Sequence, residues 1–181
     1  MGPAVGIRAI DHVGITVPDL EEGARFFSEA FGAEVIFKMD THRDTSKPEV
    51  LAEEQAKLGT RASARWTRTL VLRLGEGPSI ELFEYDDPAR LPPPTPSDLG
   101  IQHFGIYVDD IGRACDQVVA AGGSVFDGPT LLPSLESGEG NKWVYIAPPW
   151  GGVIELCSYP SPQLYEEQTS VRRWRPLNDG T

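Results

Sequence analysis

Residues 9–17 alternate strictly between apolar and polar or small side chains, with Val13, Ile15 and Val17 in the apolar set. This period of two predicts a half-buried strand. A helix is predicted to follow, because Asp19 is a suitable N-cap and Gly32 a suitable stop. Further strands are predicted over residues 33–39, 66–74 and 79–85.

The chain contains an internal repeat. The segment IDHVGITVPDL at residues 10–20 returns as IQHFGIYVDDI at residues 101–111, an offset of 91 (103 − 12). The segment SIELF at residues 79–83 matches VIELC at residues 153–157, an offset of 74 (155 − 81). Two matched ends in the same order indicate a duplicated module, with 17 extra residues (91 − 74) in the first copy.

The second copy repeats the order of elements. A strand over 101–108 and a helix over 110–121 are predicted, followed by strands near 124–127, 142–147 and 152–159. Each copy is βαβββ, so the fold class is α+β. The predicted organisation is a first module over 1–87 with an insertion at about 40–65, a proline-rich linker over 88–99, a second module over 100–160 and a polar tail over 161–181.

Four polar residues interrupt the apolar pattern of the repeated strands: His12, Glu81, His103 and Glu155. Each has the parity opposite to its apolar neighbours, so all four are expected to point away from the helix layer. Two imidazoles and two carboxylates on one face are suitable for a divalent metal ion, and Zn, Ni, Co, Mn and Fe(II) all remain open. The alternative is that each is a solvated strand residue, but solvated residues have no reason to recur in matched pairs.

These segments resemble the vicinal oxygen chelate superfamily, which includes glyoxalase I, methylmalonyl-CoA epimerase, extradiol dioxygenases and bleomycin-binding proteins. The resemblance is carried by residues 11–20, 80–83, 103–111 and 152–156. It implies two tandem βαβββ modules forming an incomplete barrel around one metal ion, with His12, Glu81, His103 and Glu155 as ligands, and a homodimer. The second half is most similar to a group labelled lactoylglutathione-lyase-like, and the insertion at about 40–65 departs from a compact epimerase.

The leading functional hypothesis is a metal-dependent lyase, isomerase or epimerase. Such an enzyme would chelate vicinal oxygens of a small carbonyl substrate and stabilise an enediolate. Glu155 or Glu81 is the candidate base, since a metal-bound carboxylate carries the proton in glyoxalase-like enzymes. The alternatives are an Fe(II) extradiol-type dioxygenase, against which a fourth ligand counts, and a non-catalytic antibiotic-binding protein.

The charge and composition of the chain limit the kinds of partner that it is expected to bind. The formal net charge is −11, from 16 basic and 27 acidic residues, so binding to nucleic acid or to an anionic membrane is not expected. No apolar run approaches the ~18 residues of a membrane span, and no secretion signal is recognised, so a cytoplasmic protein is expected. The two cysteines, Cys115 and Cys157, are expected to be free thiols.

The insertion is predicted to contain a helix that begins near Pro48 and ends at Gly59, with Val50, Leu51, Glu54 and Leu58 at helical spacing. The insertion is either a lid or wall of the site, or a surface feature without a role in the site.

Several arginines near the insertion either bind an anionic substrate or balance acidic residues on the surface: Arg43, Arg61, Arg65, Arg68 and Arg73. Aromatic residues line a pocket or belong to the core, with Trp143 and Tyr145 expected on opposite faces. His42 is a loop residue, either solvated or a proton shuttle.

Overall fold

The computed structural model describes Gly6, residues 9–41 and residues 43–176, which contain three α-helices, nine strands and two short 3₁₀ helices. The chain divides into two compact units. Residues up to 28 together with 32–91 form the first unit, and residues 29–31 together with those from 92 onward form the second. His42, considered above as a proton shuttle, lies outside the described residues.

The first unit is a four-stranded sheet with two helices. Its elements are β1 (His12–Val17), α1 (Leu20–Phe31), β2 (Glu34–Asp40), α2 (Pro48–Leu58), β3 (Arg65–Arg73) and β4 (Ser79–Asp86). The strand order is β1-β4-β3-β2, in which β1 and β4 are parallel and the other pairs antiparallel. The edge strand β2 exposes apolar side chains, among them Phe37 and Met39.

Helix α1 is fixed at both ends as its sequence predicts. The Asp19 side chain accepts a hydrogen bond from the Glu22 amide at 2.8 Å, and Gly32 adopts the left-handed conformation at the other end. Gly23 allows the close approach to the sheet, since a Cβ there would lie 3.1 Å from the Leu82 side chain. Val17, Leu20, Phe27 and Leu82 are fully buried, or nearly so, in this core.

The first elements of the second unit follow the same order as those of the first unit. It contains β5 (Phe104–Tyr107), α3 (Ile111–Ala120), β6 (Ser124–Val125), β7 (Thr130–Leu131), β8 (Lys142–Ala147) and β9 (Ile154–Ser158). The strand order is β5-β9-β8-β6, and β7 pairs with β8. The side chains of α3 that face β8 and β9 are buried, including Ala114 and Val118, and the apolar residues Ile146 and Leu156 are buried in the same unit.

The predicted α+β class is confirmed, and neither sheet closes into a barrel. The helix in the insertion is also observed, ending at a left-handed Gly59. Two strand predictions needed correction. β5 begins at Phe104 rather than at residue 101, so His103 precedes it, and the short strand β7 was not predicted. No helix among the described residues has the length and apolar character needed to cross a bilayer.

Arg68 in β3 links α1 to the sheet through hydrogen-bonded ion pairs. Its guanidinium donates to Glu84 at 2.6 Å and to Glu21 at 2.7 Å. Hydrogen bonds from Arg68 and Lys38 lower the pKa of Glu21 from 4.5 to about 2. Because the folded-state pKa is lowered, the contribution of Glu21 to stability is complete above about pH 4.5 and is lost as the pH falls toward 2.

We expect Arg68→Gln to lower the free energy of unfolding by about 1 kcal/mol at pH 7, a value reduced for the exposure of Glu21. The difference from wild type should shrink between pH 4.5 and pH 2, where Glu21 becomes protonated. Urea unfolding across this pH range measures both effects. Arg65→Gln is the control, because Arg65 is exposed and donates only to the Thr45 carbonyl in the bonds described. A difference that does not vary with pH would contradict the assignment.

Candidate metal centre

The first unit brings together two of the four candidate ligands. His12 begins β1 and Glu81 lies in the neighbouring strand β4. The His12 Nε2 atom is 3.4 Å from the Glu81 Oε2 atom. The His12 side chain is 46% exposed and that of Glu81 is 24% exposed, so the pair is open to a ligand.

The second unit forms the matching pair. His103 immediately precedes β5, and Glu155 lies in the neighbouring strand β9. The His103 Nε2 atom is 3.1 Å from the Glu155 Oε2 atom. Both side chains are about one quarter exposed. Each repeat thus makes the histidine–glutamate contact within its own unit.

Strand register explains why the two pairs are alike. In the parallel pair β1–β4, Gly14 lies beside Glu81, and in the parallel pair β5–β9, Gly105 lies beside Glu155. Each histidine is two residues before the glycine and therefore on the same face. The same register therefore brings each histidine to the face that carries its glutamate.

A second repeated contact orients each imidazole. The Nδ1 atom of His12 is 2.9 Å from the Asp11 carboxylate, and that of His103 is 2.9 Å from the Gln102 side-chain oxygen. An acceptor at Nδ1 favours the tautomer with its proton there, which leaves the Nε2 lone pair directed toward the glutamate. Asp11 and Gln102 were not predicted as site residues. Each lies directly before one of the two histidines, and this equivalent position in the repeat could have identified them.

The donor set fits a divalent cation. In each pair an imidazole nitrogen faces a carboxylate oxygen, an arrangement that a proton or a metal ion between the two atoms would satisfy. Ligands about 2.1 Å from one ion at tetrahedral to octahedral angles lie roughly 3.0–3.4 Å apart. The observed separations of 3.4 and 3.1 Å fall at this spacing. The Asp11 hydrogen bond and the Glu81 charge raise the pKa of His12, which shows the same attraction for positive charge.

Another acidic group in the described part of the first unit differs from this pattern. Asp19, Glu21 and Glu84 each place an oxygen within 4.8 Å of the others. Arg68 donates to both Glu21 and Glu84, and Asp19 caps α1. Their charge is matched by a guanidinium and a helix N-terminus, so the group has a structural role.

A group of aromatic residues lies beside the second pair. Across the β8–β9 ladder, Tyr145 lies opposite Glu155 and Trp143 opposite Cys157. The rings of Tyr145 and His103 are 5.1 Å apart. Burial, together with the Glu155 charge, raises the pKa of Tyr145. The expectation that Trp143 and Tyr145 face opposite sides is wrong, because strand positions two apart share a face and their rings are in contact at 4.9 Å.

The tail extends over the same face of the second sheet. The Arg173 guanidinium lies 5.6 Å from the centre of the Tyr159 ring, and Trp174 lies 6.5 Å from Tyr107. Tyr159 and Cys157 are buried beneath it. Cys157 and Cys115 are free thiols, as expected, and burial raises the pKa of both.

The arginines near the insertion all have partners within the first unit. Arg43 pairs with Glu53, Arg61 with Asp87, and Arg68 with Glu21 and Glu84. Arg65 and Arg73 donate to backbone carbonyls. These contacts favour balancing of surface charge over a dedicated anion grip, although Arg61 stays half-exposed at the edge of a cleft.

Sequence comparison agrees with the fold. A family model described as Glyoxalase/Bleomycin resistance protein/Dioxygenase superfamily matches residues 9–135. The chain belongs to this superfamily. A 2-epi-5-epi-valiolone epimerase from Actinomyces sp. is 35% identical over 184 aligned residues, which span 94% of this chain and 90% of the relative.

Solved structures share the fold. A glyoxalase family protein from Bacillus cereus has a TM-score of 0.64 at 19% identity, with 87% of this chain and 97% of that one covered. A glyoxalase family protein from Enterococcus faecalis has a TM-score of 0.56 at 22% identity, with coverage of 83% and 97%. At these identities the likeness establishes the fold alone.

The matched glycines offer a test of packing in the two pairs. A Cβ at Gly14 would lie 3.3 Å from the Phe83 ring, whereas one at Gly105 would lie 3.8 Å from the Glu155 carboxylate, an ordinary contact. We expect Gly14→Ala to lower the free energy of unfolding by about 1 kcal/mol. Gly105→Ala should change it by no more than about 0.5 kcal/mol. Urea unfolding of both variants measures this difference, and equal effects would contradict it.

Proposed function

We propose that this chain is a divalent-metal-dependent epimerase that inverts a stereocentre next to the carbonyl group of a small substrate. The observation that carries the proposal is the repeated histidine–glutamate pair, formed in the same strand register in both units. The 35% identical epimerase supports inversion over the other activities considered for the superfamily.

Each pair, His12 with Glu81 and His103 with Glu155, would supply one nitrogen and one oxygen ligand to a divalent ion. The mixed nitrogen and oxygen donors suit Zn, Ni, Co, Mn and Fe(II) without selecting among them. When bound, the ion would supply Lewis-acid stabilisation of the negative charge that develops on the substrate oxygen. Asp11 and Gln102 would keep the two imidazoles in the binding tautomer.

The glutamates are the groups available to move the proton. Epimerisation requires loss of the α-proton and its return on the opposite face, so a second proton carrier helps. Glu155 and Glu81, one from each repeat, provide two carboxylates of equivalent local geometry. Tyr145, whose raised pKa keeps its hydroxyl protonated at neutral pH, is a hydrogen-bond donor near Glu155.

Both glutamates also separate this proposal from the extradiol alternative. A non-haem Fe(II) oxygenase uses two histidines and one carboxylate, which leaves three positions open. Here the second carboxylate makes the same contact with its histidine as the first. In an epimerase, both carboxylates would act as proton carriers.

Metal content tests the centre. We expect about one divalent ion per chain in protein purified without chelator or metal-affinity resin, measured by mass spectrometry. The double variant His12→Ala/His103→Ala should lose at least about ten- to a hundred-fold in metal affinity, since even outer partners of metal ligands contribute that much. His42→Ala, which removes the remaining histidine, is the control and should retain the metal. Wild-type protein that neither contains nor takes up metal at micromolar concentration would contradict the proposal.

Proton transfer tests the reaction. With 2-epi-5-epi-valiolone in deuterated water, we expect epimerisation with incorporation of deuterium at the inverted carbon, followed by proton NMR. Glu155→Gln should lower kcat by about 10²–10⁴, the usual contribution of a positioned acid or base. Glu139→Gln is the control, because Glu139 is an exposed carboxylate of the same unit. Full activity in Glu155→Gln would remove Glu155 from the mechanism and leave Glu81 as the base.

A further inference from the structure

Each repeat carries a phenylalanine in the same row of its sheet as the histidine–glutamate pair. In the first unit, Phe37 of β2 lies opposite Val71 of β3, and Val71 lies opposite Glu81 of β4. Residues directly opposite one another on neighbouring strands share a face of the sheet. Phe37 is therefore on the face that carries Glu81 and, through the register of β1, His12.

The second unit repeats this row. The Phe126 amide, directly after β6, donates to the Tyr145 carbonyl of β8 at 2.9 Å, and Tyr145 lies opposite Glu155 of β9. The rings of Phe126 and Tyr145 are 6.5 Å apart in an edge-to-face arrangement, so both side chains are on one side of the sheet. Two strand spacings, or about 10 Å between backbones, separate each phenylalanine from the glutamate of its row.

Both phenylalanine side chains are accessible to solvent. Phe37 and Phe126 are each 46% exposed. A single exposed apolar residue on a protein surface needs no explanation. Two large ones at equivalent positions of a repeat, each in the row of a candidate metal-binding pair, indicate a shared role. A ligand that lies across such a ring restores the hydrophobic stabilisation that exposure forgoes, and ligand sites commonly combine aromatic walls with a few polar groups.

We propose that Phe37 and Phe126 each contact the carbon skeleton of the substrate held at the neighbouring pair, and that the substrate is an alicyclic hydroxyketone. A saturated ring presents a face of C–H groups to a phenyl ring while its oxygen atoms are directed to the pair. A short acyclic carbonyl compound has no such face and leaves the phenylalanine exposed. This inference rests on the proposed function, since it assigns a substrate class and two specificity-determining residues to the same site.

Kinetic constants test the contact. We expect Phe126→Ala to raise the KM for 2-epi-5-epi-valiolone about tenfold with little change in kcat, because the lost apolar contact holds substrate and transition state alike. Phe126→Leu, which keeps a large apolar side chain, should raise KM less. Phe37→Ala should raise KM in the same way, since Phe37 has the equivalent position in the first repeat.

The control is Val119→Ala, which truncates an apolar residue of α3 that is 58% exposed and lies outside the row. It should leave KM unchanged. Light scattering after size-exclusion chromatography shows whether either phenylalanine instead belongs to a contact between copies of the chain. Phenylalanine variants that change the oligomeric state and keep the wild-type KM would overturn the inference and leave the epimerase proposal standing.

A second readout does not depend on turnover. In protein that is deuterated except at its phenylalanines, saturation of the phenyl protons passes to a bound ligand through direct contacts. With 2-hydroxycyclohexanone, an alicyclic hydroxyketone, as the probe, we expect transfer to the ring protons and a marked decrease in the Phe37→Leu/Phe126→Leu protein. If wild type shows no epimerase activity but this pattern holds, the proposed function fails and the contacts stand. Transfer that is absent, or equal in the double variant, overturns the inference.

Discussion

The parallel pairing of the first and last strands in each unit is the constraint on which the rest depends. This register sets Gly14 beside Glu81 and Gly105 beside Glu155. A slip by one residue would turn every side chain of a strand to the other face. The apolar residues that alternate with the polar ones oppose such a slip, since Leu82 and Leu156 are fully buried. The packing of the helix side therefore determines where the histidines and glutamates point.

The polar face carries groups whose charges must be balanced. The imidazoles of His12 and His103 each lie beside a carboxylate, at 3.4 and 3.1 Å, where a proton or a metal ion would satisfy both atoms. The helix side, by contrast, shows ordinary apolar packing with well-formed caps at Asp19 and Asp110. Apolar packing on one face of each sheet thus supplies stability, and the candidate metal ligands lie on the other face.

Much of the fold and of the candidate site could be predicted, because these features depend on local sequence patterns. The repeat, the α1 caps and the parity of His12, Glu81, His103 and Glu155 depend on neighbours in sequence. The start of β5, the existence of β7 and the partners of Arg68 depend on pairing between distant segments, which periodicity does not encode. The shared face of Trp143 and Tyr145, in contrast, follows from their two-residue spacing alone.

Glu54 shows where helical periodicity predicts the wrong burial. At helical spacing it follows Val50 and Leu51 and precedes Leu58, within the stripe that should face the sheet. The structure reverses the expected burial: Glu54 is 4% exposed, whereas Leu58 is 45% exposed. A helix kept for packing alone would bury the leucine and expose the carboxyl, with a gain in stability. Periodicity identifies the positions that share a helix face, whereas the face that becomes covered depends on contacts with distant segments, which the local pattern does not encode.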